Sequence, residues 1–161
     1  MKNHTLSILV TNEAGVLSRI VDLFSGRGFN IESLTVAPTL DRAFSRVTIV
    51  TPGDDAVIEQ ILKQLNRLIP VLKVFDLKIA EAIEIEIGLI KVYAKDEDRA
   101  YIMQSVDSVG AKVIDVTEKT YTIQVVGDEN KIKALVELLK PIGIKEFVQS
   151  GKTAISRDRS L

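Results

Sequence analysis

The chain has 161 residues, of which 46% are hydrophobic and 27% charged, enough apolar material for one ordinary domain or two small ones. Its 21 basic and 22 acidic residues give a net charge of -1, which argues against a nucleic-acid or acidic-membrane surface. The absence of Cys excludes disulfides, zinc–thiolate sites and a Cys nucleophile, and a single histidine, His4, argues against a catalytic triad or a multi-His metal site. No signal peptide or membrane-spanning run is apparent, so the sequence predicts a cytoplasmic protein.

The first half of the chain predicts a βαββαβ order of elements. Alternating apolar residues indicate a strand over Thr5–Thr11, and apolar residues at helical spacing indicate a helix over Val16–Arg27. The other predicted elements of this half are strands over 30–38 and 44–51, a helix over 57–69 and a strand over 71–77. Asn12 fits a helix N-cap and Gly28 a C-cap, and Pro70 is expected to stop the second helix.

The second half predicts the same order again. Its expected elements are a strand over 85–93, a helix over 96–109, strands over 112–116 and 121–126, a helix over 128–139 and a strand over 144–149. The predicted organisation is therefore a domain over 1–77, a linker over 78–84 and a second domain over 85–161.

These two orders predict an α+β protein with two ferredoxin-like βαββαβ domains in tandem. In each domain, a four-stranded antiparallel sheet carries two helices on one face, because right-handed crossovers place both helices on the same side. The predicted strands of the first half carry apolar residues on both faces. We therefore expect the open face and the strand edges to pair in a homodimer.

The segment from Asn12 to Arg19, at the turn between the first strand and the first helix, is the best candidate for a ligand site. Gly15 allows positive φ and a close backbone approach, and the amides of Gly15, Val16 and Leu17 are predicted helix-start donors without partners. With the positive end of the helix dipole they favour a carboxylate. The same residues also fit a purely structural role, with Asn12 as an N-cap and Gly15 as a turn residue.

A second candidate segment, 27–34, joins the first helix to the second strand. Asn30 in it fits either a turn or a contact to a ligand held by Asn12 and Gly15 of a facing subunit. The acidic runs Asp54-Asp55 and Asp96-Glu97-Asp98 fit helix starts better than metal sites. The sequence contains no nucleotide-binding, metalloprotease or serine-hydrolase motif.

Several runs of this sequence resemble the acetolactate synthase small (regulatory) subunit family. The segment from His4 to Thr39, then FSRVTIV, GDDAVIEQILKQLNRLI and VLKVFDL, resembles the amino-terminal ACT domain of that family. The runs IGLIKV, AKVIDVT, YTIQVVGDENKIKALVELL and GIKEFVQSGKTAISR are similar to its second domain. The resemblance covers essentially the whole chain.

The resemblance implies a subunit without catalytic residues or a cofactor of its own. Such a subunit activates a catalytic large subunit, which holds thiamine diphosphate, Mg and FAD, and makes it sensitive to feedback inhibition by valine or another branched-chain amino acid. The effector is expected between two ACT domains of a homodimer. The implied effector-binding residues are Asn12, Gly15, Val16 and Leu17 on one side, with Asn30 and Ile31 on the other.

Three departures from the family pattern lie in the second domain. They are Glu84-Ile85-Glu86, Ser108-Val109 and Gln149-Ser150-Gly151, where the family often has Glu-Arg-Glu, Phe-Arg and Arg-Thr-Gly. Two other readings compete with the regulatory subunit. The first is a stand-alone amino-acid-sensing regulator of another enzyme or of transcription, but this chain shows neither the helix-turn-helix nor the basic face expected of a transcription regulator. The second is an acylphosphatase-like enzyme, which needs an Arg in the loop after the first strand, and this chain has none there.

Overall fold

The computed structural model describes residues 2–78 and 81–158. The chain forms two compact units: the first combines residues up to 84 with a segment that begins at Gly151, and the second comprises residues 85–150. The ends of the predicted domains at residues 1 and 159–161, and positions 79 and 80 of the predicted linker, lie outside the described residues.

Each unit follows the predicted βαββαβ order. The first contains β1 (Lys2–Thr11), α1 (Val16–Gly26), β2 (Ser33–Pro38), β3 (Phe44–Gly53), α2 (Asp55–Leu65) and β4 (Val71–Leu77). The second contains β5 (Ala82–Tyr93), α3 (Arg99–Ser108), β6 (Lys112–Val116), β7 (Thr120–Gly127), α4 (Glu129–Leu139) and β8 (Ile144–Gln149). A further strand, β9 (Thr153–Ser156), belongs to the first unit and pairs with β5, whose first residues lie in the same unit.

The first sheet is antiparallel, with the strand order β2-β3-β1-β4. Residues that pair across antiparallel strands share a face, so the register sorts the side chains into two layers. The face that carries the helices, here called the front face, includes Leu34, Val47, Ile8 and Val74. The back face includes the row Thr35, Thr48, Ser7 and Phe75.

Both helices of the first unit pack on the front face, as predicted. The buried residues of α1 and α2 join those of β1 and β3 in one apolar core. Its fully or nearly fully buried members are Leu6, Ile8, Val10, Val16, Ile20, Phe24, Val47, Ile49, Ile58, Ile61 and Leu65. Apolar residues at spacings of three and four place one face of each helix in this core, and burial of that face stabilises the helix.

The ends of the helices have local chemical causes. Arg27 is the C-cap of α1, Gly28 follows at a φ of 68°, and the amides of Gly28 and Phe29 bond to the carbonyls of Ser25 and Phe24. This is the Schellman arrangement, which favours Gly at that position. α2 begins at an Asp54 cap, whose carboxylate accepts from the Val57 amide at 2.9 Å.

The second unit is a similar sheet in the order β6-β7-β5-β8, with a core of its own. Ile90 of β5 pairs with Ile123 of β7 and with Phe147 of β8, and Ile90 and Ile123 are fully buried. This core shares no residue with the core of the first unit. The predicted fold class, two ferredoxin-like domains of which the first has four antiparallel strands and two helices on one face, is confirmed.

Several predicted boundaries differ from the observed ones. α2 ends at Leu65, four residues before the predicted end, and a turn leaves Ile69 exposed although Leu68 still reaches the core. The run from Asp96 to Asp98 forms a 3₁₀ turn before α3 rather than its first α-helical turn. β2 begins at Ser33, three residues later than predicted.

The described residues after Ser150 lie with the first unit, not with the second as predicted. Residues 151–158, here called the returning segment, include β9. Ala154 of this segment is 4% exposed and clusters with Leu77 and Ala82, against which Phe75 packs. Phe75 and Leu77 pair with Ser7 and Thr5, so the returning segment covers part of the back face that the sequence analysis assigned to a second copy.

The other end of the returning segment approaches β2. A side chain at Gly151 would meet the Thr35 hydroxyl, and its Cβ would lie 3.0 Å from the Leu34 carbonyl oxygen. Lys152 donates to Glu84 at 3.0 Å, and each of these side chains is only 14% exposed. No periodicity in the sequence could reveal this segment, because its partners lie far away along the chain.

We expect Lys152→Ala to destabilise the first unit. Loss of the bond leaves the shielded Glu84 carboxylate without this partner, at a cost of about 1.5–3 kcal/mol. Denaturant unfolding measures the change. Lys63→Ala is the matched control: Lys63 pairs with Glu59 at 2.7 Å on the surface of α2, where the pair is solvent-screened, so no measurable change is expected. Equal stability of the two variants would contradict the role assigned to Lys152.

Candidate functional site

The turn between β1 and α1 is held by the backbone and side chain of Asn12. The Asn12 amide nitrogen donates to the Ala43 carbonyl at 2.8 Å, and its side-chain nitrogen donates to the Arg42 carbonyl at 2.9 Å. The sequence suggested Asn12 as the N-cap of α1, but Asn12 does not occupy that position. The N-cap position is Gly15, and no side chain caps the helix there. The tie to Arg42 could not be found in the sequence, because it depends on how β1 and β3 pair.

Gly15 has a φ of 83°, in the left-handed region that favours glycine. A Cβ at this position would meet nothing within 4 Å, so the space beside the helix start is open. Among the described residues, the amides of Gly15 and Leu17 have no hydrogen-bond partner. The Val16 amide does have one, the Glu13 carbonyl at 3.4 Å, so the prediction of a free donor at Val16 was wrong.

The first turn of α1 carries no compensating negative charge. It contains no acidic residue and no side-chain cap. By contrast, α2 and α4 each begin at an aspartate cap, Asp54 or Asp128, and each has an acidic residue in the first turn. The positive end of the α1 dipole is thus exposed, together with free amides, and this arrangement favours an anion such as a carboxylate.

Leu17 and Val16 offer different surfaces to a ligand at this point. Leu17 is 40% exposed and places an apolar side chain beside the open amides. Val16 is 6% exposed and packs into the core of the first unit. An amino acid with its carboxylate on the helix start and an apolar side chain near Leu17 matches this chemistry.

The second predicted part of the site, Asn30 and Ile31, lies between α1 and β2. The Asn30 side chain donates to the Glu32 carboxylate at 3.2 Å, and the Asn30 carbonyl accepts from the Thr51 hydroxyl at 2.7 Å. Ile31 is partly buried and packs against the core. The contact from Thr51 was not anticipated from the sequence, in which Thr51 is only one residue of a β-rich run.

The two predicted parts do not meet within one chain. Asn12 bonds to Ala43, next to the first residue of β3, whereas Asn30 bonds to Thr51 near the other end of that strand. Thr51 lies seven positions after Phe44, a distance of roughly 23 Å at about 3.3 Å per residue. A single amino acid is far too short to touch both parts of one chain.

Other residues with potential chemistry have structural roles. His4 is 9% exposed, and its Nδ1 lies 3.0 Å from the Asp76 carboxylate. Within residues 2–78 and 81–158, no group of three or more acidic or histidine side chains is arranged to hold a metal ion. Over the same residues, no helix has the length and apolar character needed to cross a bilayer.

Comparison with known protein families identifies both halves of the chain. Residues 6–73 match the model of the acetolactate synthase small-subunit-like ACT domain, so the first unit is an ACT domain. Residues 85–158 match the model described as the small subunit of acetolactate synthase. The chain belongs to the acetolactate synthase small-subunit family.

Individual relatives agree with this assignment. The acetolactate synthase small subunit of Aquifex aeolicus is 48% identical over 162 aligned positions, which cover all of this chain and 84% of the relative. A probable acetolactate synthase small subunit of Archaeoglobus fulgidus is 45% identical and covers 96% of each chain. The crystal structure of the small subunit from Thermotoga maritima superposes with a TM-score of 0.90 at 36% identity, over 99% of this chain and all of that one.

Proposed function

We propose that this chain is a regulatory subunit that activates a thiamine-diphosphate-dependent acetolactate synthase and makes it sensitive to inhibition by valine. The observation that carries the proposal is the open start of α1, where free amides and the positive end of a helix dipole, without a side-chain cap or an acidic residue in the first turn, lie beside Leu17. A branched-chain amino acid supplies both the carboxylate and the apolar side chain that this place accommodates. The chain provides no catalytic residue in this proposal, and the catalytic subunit provides the thiamine diphosphate, Mg and FAD.

The effector site is formed between two copies of the chain. β2 is an outer strand of the first sheet, so its outer edge can pair with the same edge of a second copy. Antiparallel pairing about a two-fold axis brings the start of one β2 beside the end of the other. Asn30 and Ile31 belong to the loop of residues 29–32, here called the Asn30 loop, which precedes Ser33 at the start of β2. Pro38 at the end of β2 pairs with Ser45, close to the turn of residues 12–15, here called the Asn12 turn.

The two-fold pair would bring together two parts of the site that are far apart within one chain. Within one chain the parts are roughly 23 Å apart along β3. In the two-fold pair, the Asn12 turn of one protomer approaches the Asn30 loop of its partner, and a dimer holds two equivalent effector sites. The returning segment covers part of the back face, so the dimer contact rests on the edge of β2 rather than on the open sheet face.

The direct experiment combines the chain with its catalytic subunit and measures acetolactate formation from pyruvate at increasing valine concentration. The chain should raise the activity of the catalytic subunit, and valine should then lower it. The control is the chain alone with pyruvate, thiamine diphosphate, Mg and FAD, from which we expect no acetolactate. An unchanged rate on addition of the chain, or turnover by the chain alone, would contradict the proposal.

A mixed dimer tests whether the site spans two copies. Asn12→Ala and Asn30→Ala should each weaken valine binding, with a loss of about 1.5–3 kcal/mol for a hydrogen bond to a charged group. Because each variant damages a different part, a dimer that contains one chain of each kind retains one intact site. Calorimetry on co-expressed, differently tagged chains should therefore find one tight site per mixed dimer, and none in either pure variant. The absence of any tight site in the mixed dimer would place both residues in one protomer's site.

A further inference from the structure

Thr51 is a buried residue in contact with the Asn30 loop. It lies near the end of β3, is fully buried and pairs with His4 of β1. Because residues 47, 49 and 51 of a strand point to the same side, Thr51 belongs to the front face. A buried threonine hydroxyl needs a partner, and here that partner is the Asn30 carbonyl at 2.7 Å.

The Asn30 loop is fixed at its ends by other contacts. At its beginning, the Phe29 amide bonds to the Phe24 carbonyl, and the two aromatic rings pack edge to face with their centroids 6.2 Å apart. At its end, the Glu32 amide bonds to the Val50 carbonyl at 2.8 Å. The Thr51 hydroxyl therefore anchors the middle of the loop to the sheet.

We infer that Thr51 is a positioning residue for the effector site, acting through Asn30. The inference rests on the proposed function, because it assigns to Thr51 the orientation of a residue proposed to contact valine. Asn30 is exposed, and among the described residues its side chain bonds only to the exposed Glu32. The direction of the Asn30 amide thus depends on its backbone, which the Thr51 hydroxyl ties to the sheet.

Thr51→Val is the most selective test. Val has the same shape as Thr and suits a strand, so the fold should persist while the hydroxyl is lost. Without this bond the loop samples other positions, and an ordering cost then falls on ligand binding. We expect a five- to tenfold increase in the valine Kd, about the effect of one neutral hydrogen bond. Activation of the catalytic subunit without valine should not change.

Two matched variants separate positioning from general damage. Thr51→Ser keeps the hydroxyl and should bind valine within about twofold of the unmodified chain. Thr48→Val makes the same change at another buried threonine of β3, which is 5% exposed and lies on the back face, and should leave the valine Kd unchanged. If Thr51→Val proves insoluble, Thr51→Ala removes the hydroxyl without adding bulk.

A double mutant tests whether Thr51 acts through Asn30. Thr51→Val should change the logarithm of the valine Kd less than half as much in the Asn30→Ala chain as it does in the unmodified chain. Full additivity would overturn the inference. Hydrogen exchange at residues 30–32 should also become faster in Thr51→Val, and unchanged exchange would likewise overturn it.

The outcomes also distinguish this inference from the proposed function. A valine Kd unchanged in Thr51→Val, but strongly raised in Gly15→Asp, rejects the role of Thr51 and leaves the effector site in place. A valine Kd unchanged in both variants rejects the effector site itself.

Discussion

Gly15→Asp is expected to abolish valine inhibition while the chain still activates its catalytic subunit. The new carboxylate would lie beside the free amides of Gly15 and Leu17, at the place proposed for the carboxylate of the ligand. Two unit charges about 4 Å apart repel by roughly 4 kcal/mol at an effective dielectric near 20. Even half of this value weakens binding by more than about tenfold.

The fold should tolerate this substitution. A Cβ at position 15 meets nothing within 4 Å, and Asp adopts positive φ more readily than most residues. Gly15→Asn is the matched control, since Asn has nearly the same shape and tolerance of positive φ but no charge. Calorimetry with valine, beside inhibition of the reconstituted enzyme, should show a much larger loss for Asp than for Asn. Equal losses of valine affinity in the two variants would mean that the size of the new side chain, rather than its charge, weakens binding. Unchanged valine affinity in Gly15→Asp would show that valine does not bind at this turn.

Phe24→Ala is expected to produce the largest loss of stability. Phe24 is 1% exposed, lies in the core of the first unit and packs edge to face against Phe29. Removing a buried aromatic side chain costs about 3–5 kcal/mol, from lost burial and from the cavity that remains. The Asn30 loop begins at Phe29, so the variant should also lose valine binding at temperatures where the first unit still folds.

Phe24→Leu provides the control, because it keeps most of the apolar volume and should cost clearly less. Hydrogen exchange gives an internal reference in the same sample. Amides of Ile90 and Ile123 belong to the separate core of the second unit and should exchange at their usual rates. A decrease of less than about 1 kcal/mol in the free energy of unfolding of Phe24→Ala would contradict the central place of this residue in the core.

The sequence predicted Asn12, Gly15, Val16 and Leu17 on one side of an effector site and Asn30 and Ile31 of a second copy on the other, and this assignment stays a prediction. Among the described residues, the amides of Gly15 and Leu17 have no hydrogen-bond partner, as predicted, and free amides at a helix start suit a carboxylate. The N-cap role expected for Asn12 was wrong, because its side chain binds Arg42 across the β1–β3 pair. Capping preferences describe local geometry, and a tertiary hydrogen bond overrode the preference here.

The sequence by itself determined the fold class and the βαββαβ order of each half, but not β9 and, apart from α1, not the exact helix starts. These features depend on apolar periodicity and on short-range signals such as Asp54 and Gly28, which act within a few residues. Only the tertiary structure decided which long-range contacts complete the first unit. The returning segment covers part of the back face, and Thr51 anchors the Asn30 loop. Both depend on pairing between residues that are distant along the chain, where no local pattern reveals the partner.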